Sequence, residues 1–164
     1  MNAPYKLALI LSAVAIALPQ TASAKSSALS KSWAGTWHLN MEKSKFSSED
    51  FTPKSETRTY TVASKRLTMR STAVNAAGKT MKWSYSASTD GKLYPTSGNP
   101  NTDHIALTLV SPREFTSKTT LKGKATARST PILSADGKVL TIKRSILTAK
   151  GGPTDDTLVF HRTK

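Results

Sequence analysis

The sequence predicts an all-β protein, an antiparallel up-and-down barrel of eight to ten strands. Three observations favour this class. Segments with strand-like composition recur about every ten residues, turn-forming residues separate them, and apolar and polar side chains alternate inside them. An open sandwich is the alternative, because alternation along single strands does not show whether the sheet closes.

Nine segments after residue 34 are rich in Thr, Tyr, Val and Ile, which favour strands. In one of them Met81, Trp83 and Tyr85 would share a face, with Lys82 and Ser84 on the other. We expect strands at 35–40, 55–63, 66–74, 79–88, 104–110, 114–121, 124–133, 138–148 and 156–162, and a short further strand at 92–94.

Turn chemistry fills the gaps between these segments. We expect turns at 63–65, 75–78, 90–91, 122–123, 136–137 and 151–153, because Gly tolerates positive φ and Asp or Asn can bond to the nearby backbone. The repeated Asp-Gly-Lys at 90–92 and 136–138 predicts two hairpin turns. Only residues 41–50 could hold a helical turn. Residues 93–103 form the longest irregular segment, which could rim a cavity mouth or cross between strands.

The first 24 residues have the pattern of a secretory signal peptide. Lys6 supplies a positive charge, Leu7–Leu18 is an apolar run of 12 residues, and Ala22-Ser23-Ala24 resembles a cleavage site. The run is shorter than the ~20 residues that span a bilayer, so we expect no transmembrane segment in the mature chain. We expect cleavage after Ala24, a flexible lead-in at 25–32, a barrel domain at 33–164, and a periplasmic or secreted location.

The chain is basic and has no cysteine. Its 24 Lys and Arg against 10 Asp and Glu give a net charge of +14. Because no disulfide can form, barrel closure, which removes both sheet edges, is an alternative source of order. The cations are scattered and are not interleaved with aromatic residues, so we expect no nucleic acid partner. Attraction to acidic envelope polymers is compatible with this charge.

The stretch Trp33-Ala34-Gly35-Thr36-Trp37-His38-Leu39 is similar to the first strand of the fatty-acid-binding proteins, members with the lipocalins of the calycin superfamily. This resemblance implies that Trp37 plugs the barrel floor. We expect Trp37 to matter more for stability than Trp33, which is nearer the free end. Two features depart from the fatty-acid carriers. Only 14 residues separate Asn40 from Ser55, too few for their two-helix lid, and the last strand lacks their Arg-x-Tyr pair.

A wider set of motifs resembles a family of small exported bacterial proteins described as lipocalin-like and of unassigned function. The motifs are Gly-Thr-Trp-x-Leu-Asn with Lys-Ser-Lys-Phe at 35–46, Pro-Lys-Ser-x-Thr at 53–57, Asp-Gly-Lys-x-Tyr-Pro with Gly-Asn-Pro-x-x-Asp at 90–103, and Ser-x-Asp-Gly-Lys-x-Leu-Thr at 134–141. The resemblance covers most of the chain after the predicted signal peptide. It implies a lipocalin-like barrel and a bacterial host.

Inward-facing aromatic and apolar side chains would line a ligand cavity or simply pack the interior. These candidates are Trp37, Tyr60, Met69, Trp83 and Tyr85. Arg58 and Arg144 lie on the apolar faces of their strands, where a cation is costly unless it is paired. Each would meet a buried carboxylate or an anionic ligand, unless its strand faces the other way.

Catalysis has little support, because the sequence lacks a cysteine nucleophile, a Gly-x-Ser-x-Gly elbow, a His-Glu-x-x-His motif and a phosphate loop. We expect His38, His104 and His161 to act independently, Asp155-Asp156 to form a turn, and neither metal nor cofactor to bind. The favoured function is a binding module for a small, partly apolar or amphipathic ligand, which could be anionic. The alternative is a cationic envelope protein that binds acidic polymers through its surface and has no ligand cavity.

Overall fold

The computed structural model describes residues 28–163, so the predicted signal peptide at 1–24 and residues 25–27 lie outside the described residues. Two short 3₁₀ helices, Lys31–Trp33 and Glu49–Phe51, accompany ten strands. The strands are β1 (Gly35–Leu39), β2 (Ser55–Ala63), β3 (Arg66–Val74), β4 (Thr80–Ser88), β5 (Asp90–Ser97), β6 (His104–Ser111), β7 (Glu114–Leu121), β8 (Lys124–Leu133), β9 (Val139–Ile146) and β10 (Asp156–Arg162).

The ten strands close into one antiparallel barrel. Each strand pairs with its neighbours along the chain, and β1 also pairs with β10, where Trp37 lies opposite Arg162 and Leu39 opposite Phe160. The predicted all-β class, an antiparallel up-and-down barrel, is therefore confirmed, with the strand number at the top of the expected range. Closure leaves no free sheet edge, which gives order to a chain without disulfides.

Tight turns fix the register of the hairpins as expected. The β7–β8 hairpin turns through Lys122 and Gly123, both with positive φ, as a type I′ turn requires. The turn at 134–138 between β8 and β9 is closed by hydrogen bonds from Ser134 N to Val139 O and from Gly137 N to Ser134 O. The predicted hairpin at residues 136–138 is thus present.

The predicted hairpin turn at Asp90-Gly91-Lys92 lies where the chain reverses, because β4 ends at Ser88 and the antiparallel β5 begins at Asp90. Asp90 pairs with Thr108 of β6, and the register shifts before Leu93, so this tripeptide forms a bulge inside β5. Gly91 has a φ of 77°, and the Asp90 carboxylate accepts a hydrogen bond from Lys92 N. The expected short strand at 92–94 is therefore part of an eight-residue strand that also includes Pro95.

One half of the barrel is solidly packed. We call it the packed half and define it by buried apolar side chains that meet at the end where β1 begins. They are Trp33, Trp37, Leu67, Met69, Ala87, Leu107, Leu133, Leu140 and Phe160. Inward positions on seven strands and one 3₁₀ helix thus carry apolar groups, as alternation predicts.

Trp33 seals this end together with Trp37. Both indoles are 0% exposed, and Trp33 packs against Phe115 with ring centroids 4.9 Å apart. The Trp33 Nε1 donates to Pro112 O at 3.0 Å, and the Trp37 Nε1 donates to Trp33 O at 3.2 Å. The expectation that Trp33 contributes less than Trp37 has no basis in this packing, because the 3₁₀ helix turns Trp33 back into the core.

Candidate functional site

A cavity of about 530 Å³ occupies the other half of the barrel, which we call the cavity half. Its volume falls in the range of ~300–1,000 Å³ typical of small-molecule sites. Five buried core residues form its floor: Tyr60, Tyr85, Ile105, Phe115 and Ile142. The space exists because the inward positions above this floor carry small side chains, among them Ala73, Ser117, Thr119, Ala127 and Ser129.

An aromatic wall stands on β4. Met81, Trp83 and Tyr85 alternate along the strand and all line the cavity. The Trp83 and Tyr85 rings lie 5.6 Å apart at 51°. Trp83 remains partly exposed, so this indole presents an open apolar surface to the cavity.

A hydroxyl-rich wall lies on β7 and β8, where β8 is four strands from β4 around the ring of ten. The Ser117 and Ser129 Oγ atoms are 2.7 Å apart, and the Thr119 and Thr126 Oγ1 atoms are 2.9 Å apart. Each pair shares one hydrogen bond, so each retains hydrogen-bonding capacity toward the cavity. The cavity is therefore apolar on one side and polar on another.

The loop after β5 rims the mouth. Asn99, Asn101 and Thr102 line the cavity, so residues 98–103 take the mouth position considered for the irregular segment, whereas residues 93–97 are strand. Gly98 has a φ of 86°, and a Cβ atom there would collide with the Lys82 carbonyl. The buried Thr102 Oγ1 lies 3.0 Å from both His104 O and Thr120 O. These contacts hold the loop against β4 and β7.

Arg58 forms a buried ion pair with Glu56, two residues earlier on the same face of β2. Arg58 Nε donates to Glu56 Oε1 at 2.6 Å, and the Ser71 hydroxyl donates to the same oxygen at 2.7 Å. Burial opposes the charge on Glu56, but the Arg58 guanidinium and these hydrogen bonds outweigh burial and hold its pKa below the usual value. Burial likewise opposes the charge on Arg58, but Glu56 raises the pKa of Arg58.

Arg144 forms a second ion pair with Asp156, across β9 and β10. The Nε and Nη2 atoms of Arg144 donate to Asp156 Oδ2 at 3.0 and 2.8 Å, and Ser47 donates to Oδ1 through its backbone N and its hydroxyl. Burial alone would raise the pKa of Asp156, but these hydrogen bonds and the Arg144 charge lower it. The expected turn at Asp155-Asp156 is wrong for Asp156, which begins β10 and is 1% exposed.

Two tyrosines extend the first ion pair into the cavity floor. Burial raises the pKa of Tyr60, although the neighbouring Arg58 opposes the rise, and burial raises the pKa of Tyr85 well above its usual value. Both phenols are therefore protonated near neutral pH and can donate hydrogen bonds.

Five of the seven side chains proposed from the sequence line one cavity: Arg58, Tyr60, Trp83, Tyr85 and Arg144. The other two, Trp37 and Met69, lie in the packed half and are not part of the lining. Sequence reasoning missed Glu56 and Asp156 as the partners of the two arginines. Glu56 could have been found, because residues i and i+2 share a face of a strand.

The three histidines lie on β1, β6 and β10. His38 lies opposite His161 on β1 and β10, and His38 Nδ1 is 3.0 Å from the Thr57 hydroxyl. Among residues 28–163, no group of three or more His, Cys, Asp or Glu side chains could hold a metal ion. In the same range, no helix combines the length and the apolar character needed to cross a bilayer.

Comparison with known proteins gives distant likenesses only. No protein-family model matches the chain, and no curated protein matches it significantly. Apocrustacyanin C2 is 17% identical with a TM-score of 0.44, lobster apocrustacyanin A1 is 17% identical with 0.43, and apocrustacyanin C1 is 18% identical with 0.42. The matches cover 80–81% of this chain but only 61–62% of those chains. The barrel assignment rests on this chain's own strand pairing.

Proposed function

We propose that this protein is a non-enzymatic binding module that holds one small, partly apolar ligand in its barrel. The observation that carries the proposal is the 530 Å³ cavity with Trp83 partly exposed on its wall. A barrel selected only for stability would fill these inward positions with large apolar groups, as the packed half does. Small and polar side chains at Ala73, Ala127 and Ser129 instead keep the space open.

The lining residues have distinct roles in this proposal. Trp83 and Tyr85 supply apolar contact, and Tyr60 supplies contact at the floor. Arg58 and Arg144 hold polar groups of the ligand through their guanidinium N–H groups. Trp37 and Met69 support the floor from the packed half without touching the ligand.

Filling the cavity tests the proposal. Ala127→Phe places a ring in the cavity, whereas Thr116→Phe places the same ring on the exposed outer face of β7. We expect the neutral dye Nile red, and any ligand seen by native mass spectrometry of protein from its own host, to bind wild type and Thr116→Phe but not Ala127→Phe. Equal dye binding by Ala127→Phe would place binding outside the cavity, and no dye binding by wild type would refute the function.

We also propose that the protein is exported, with its mature form in the periplasm or outside the cell. The support is the signal-like pattern of residues 1–24. N-terminal sequencing of native protein should begin at Lys25. An intact Met1 on that protein would contradict export by cleavage.

A second candidate function, binding of acidic polymers, is favoured by one surface. Lys118 lies directly opposite Arg128 on β7 and β8, and Lys143 lies opposite Thr130 on the next strand pair. These cations line an outer groove of about 490 Å³, and among residues 28–163 none of the three forms an ion pair. Like charges directly opposite are destabilising unless an anion balances them. The part of this hypothesis that excluded a cavity is wrong.

Salt dependence and a matched variant test this second function. Heparin, used as an acidic polysaccharide probe, should bind at low ionic strength and lose affinity steeply as salt rises. Lys118→Ser/Arg128→Ser should weaken that binding more than Lys54→Ser/Lys79→Ser, which removes two exposed cations elsewhere. Equal weakening by the two double variants would show attraction by net charge without a site.

A further inference from the structure

The cavity is electrically balanced, although the chain carries a net charge of +14. Three cations line it: the deep Arg58 and Arg144, and Arg128, an exposed residue that also lines the outer groove. Three carboxylates stand against them, since Asp50 and Glu56 also line the cavity and Asp156 is paired with Arg144. A surplus of cations therefore covers the protein but not its cavity.

Arg58 and Arg144 are each neutralised at short range by a carboxylate whose position is fixed by burial and hydrogen bonds. Asp156 is 1% exposed and accepts hydrogen bonds from Ser47 and from the Thr154 hydroxyl. Glu56 is 6% exposed and is held by Ser71. An anionic ligand would lose its hydration without gaining an uncompensated positive charge, and it would approach two fixed carboxylates. A cationic ligand would face the reverse problem at the arginines.

Hydrogen-bond donors nevertheless remain available. Among described residues, the bonds of Arg144 use Nε and Nη2, with Nη2 also donating to Phe51 O at 3.2 Å, and none uses Nη1. The side chain of Arg144 is 19% exposed and lines the cavity. An N–H group of an already balanced guanidinium suits a neutral acceptor such as a carbonyl or hydroxyl oxygen.

Resting on the proposed function, we infer that the ligand is a neutral amphipathic molecule. Its flat or ring-shaped apolar body packs on Trp83 and Tyr85, and its carbonyl or hydroxyl oxygens accept hydrogen bonds from the Arg144 side of the cavity. The hydroxyl pairs of β7 and β8 offer further partners for such oxygens. This assignment replaces an acidic head group with an uncharged one.

Three probes of one shape test the inference: 2-naphthamide, 2-naphthoate and 2-naphthylmethylammonium, which are neutral, anionic and cationic at pH 7. Calorimetry with wild-type protein should give the amide an affinity at least about tenfold above either ion. A naphthoate affinity equal to or above that of the amide overturns the inference while binding of Nile red still upholds the proposed function. If neither Nile red nor any naphthyl probe binds, both proposals fail.

Removing one balancing carboxylate sharpens the test. Glu56→Gln and Asp156→Asn keep the side-chain shapes but leave the cavity positively charged. Each should raise the affinity for naphthoate roughly tenfold relative to that for naphthamide. Asp155→Asn removes an exposed charge that does not line the cavity and should change neither affinity. The inference is overturned if the ratio of naphthoate to naphthamide affinity is unchanged in both Glu56→Gln and Asp156→Asn. It is also overturned if Asp155→Asn changes that ratio as much as they do.

Discussion

The packed half and the cavity half of this barrel run along the same strands but differ at their inward positions. On β3, Leu67 and Met69 fill the packed half, and Ala73 leaves space in the cavity half. On β8, Leu133 fills one half, and Ala127 and Ser129 line the other. Apolar burial is thus concentrated at one end, which allows an open and partly polar interior at the other without any disulfide.

The two ends of the barrel also differ in how they meet solvent: one is closed by hydrogen bonds and the other is open. At the packed end Arg162 donates from Nε to Gly137 O at 2.8 Å and from Nη1 to Ala34 O at 2.6 Å, and it lies 4.3 Å above the centre of the Trp37 ring. These contacts bind the segment before β1 to the last strand and to the β8–β9 turn. At the other end, polar loop residues surround an opening. One end is built for closure and the other for access.

Truncation of the tryptophans should give the largest difference in stability between the two halves. Trp33→Ala and Trp37→Ala each remove a fully buried indole and should lower the free energy of unfolding by ~3–5 kcal/mol. Trp83→Ala removes a partly exposed indole of the cavity wall and should cost about 1 kcal/mol or less while abolishing Nile red binding. Chemical denaturation measures all three. Equal losses in the three variants would contradict a division into two halves.

Breaking an ion pair should be the next largest effect, and it belongs to the cavity half. Arg144→Met leaves the buried Asp156 carboxylate without its cation and should cost about 3 kcal/mol. Arg144→Met/Asp156→Asn removes the charge as well and keeps an acceptor for Ser47, so it should be more stable than the single variant. A double variant less stable than Arg144→Met would show that the unpaired Asp156 carboxylate does not destabilise the folded protein.

The pH dependence of stability should arise in the same half. The pKa values of Glu56 and Asp156 are lowered from 4.5 and 3.8 in the folded protein, so the unfolded chain takes up protons first as pH falls. The stability that these two ionised carboxylates contribute is complete at pH 7. It is lost progressively as the pH falls below their pKa values in the unfolded chain and then through their lower pKa values in the folded protein. Denaturation from pH 7 to pH 3 should show this loss, and it should be shallower in Glu56→Gln/Asp156→Asn. The same slope in wild type and in that double variant would assign the loss to other carboxylates.

Two glycines offer the smallest and most local test. Gly98→Ala forces a positive-φ residue against the Lys82 carbonyl at the cavity mouth, and should cost about 2 kcal/mol and weaken Nile red binding. Gly123→Ala meets nothing within 4 Å, so only its φ of 77° opposes the change, with a cost of about 1 kcal/mol and unchanged dye binding. Unfolding and dye titrations of both variants separate mouth geometry from backbone strain.

Local sequence rules predicted most of the fold. Nine expected strands occur within two residues of their bounds, because alternation and turn residues act over a few positions. The exception was β5, because Asp90-Gly91 and Pro95 are residue types that usually end a strand. The glycine serves a bulge there, and Pro95 is accommodated within the strand opposite His104. Barrel closure depends on the pairing of β1 with β10, which no local pattern shows.

The site was less predictable, because it depends on contacts between distant segments. Arg58, Tyr60, Trp83, Tyr85 and Arg144 were found from the inward faces of their strands. The partner of Arg144 required the register of β9 on β10, which places Asp156 opposite it. Trp33 was undervalued because it precedes the first strand, and its burial depends on a hydrogen bond to Pro112, 79 residues away.

Hydrogen exchange of the indole N–H groups tests the division of the barrel most directly, because the chain has three tryptophans and no ligand is required. Trp33 and Trp37 are fully buried and donate to carbonyls, so their indole protons should exchange only through large-scale opening. Trp83 lines the open cavity and should exchange within the dead time of a nuclear magnetic resonance measurement at neutral pH. Protection of Trp33 and Trp37 with fast exchange at Trp83 is the predicted result, and exchange of Trp33 or Trp37 as fast as that of Trp83 would contradict it.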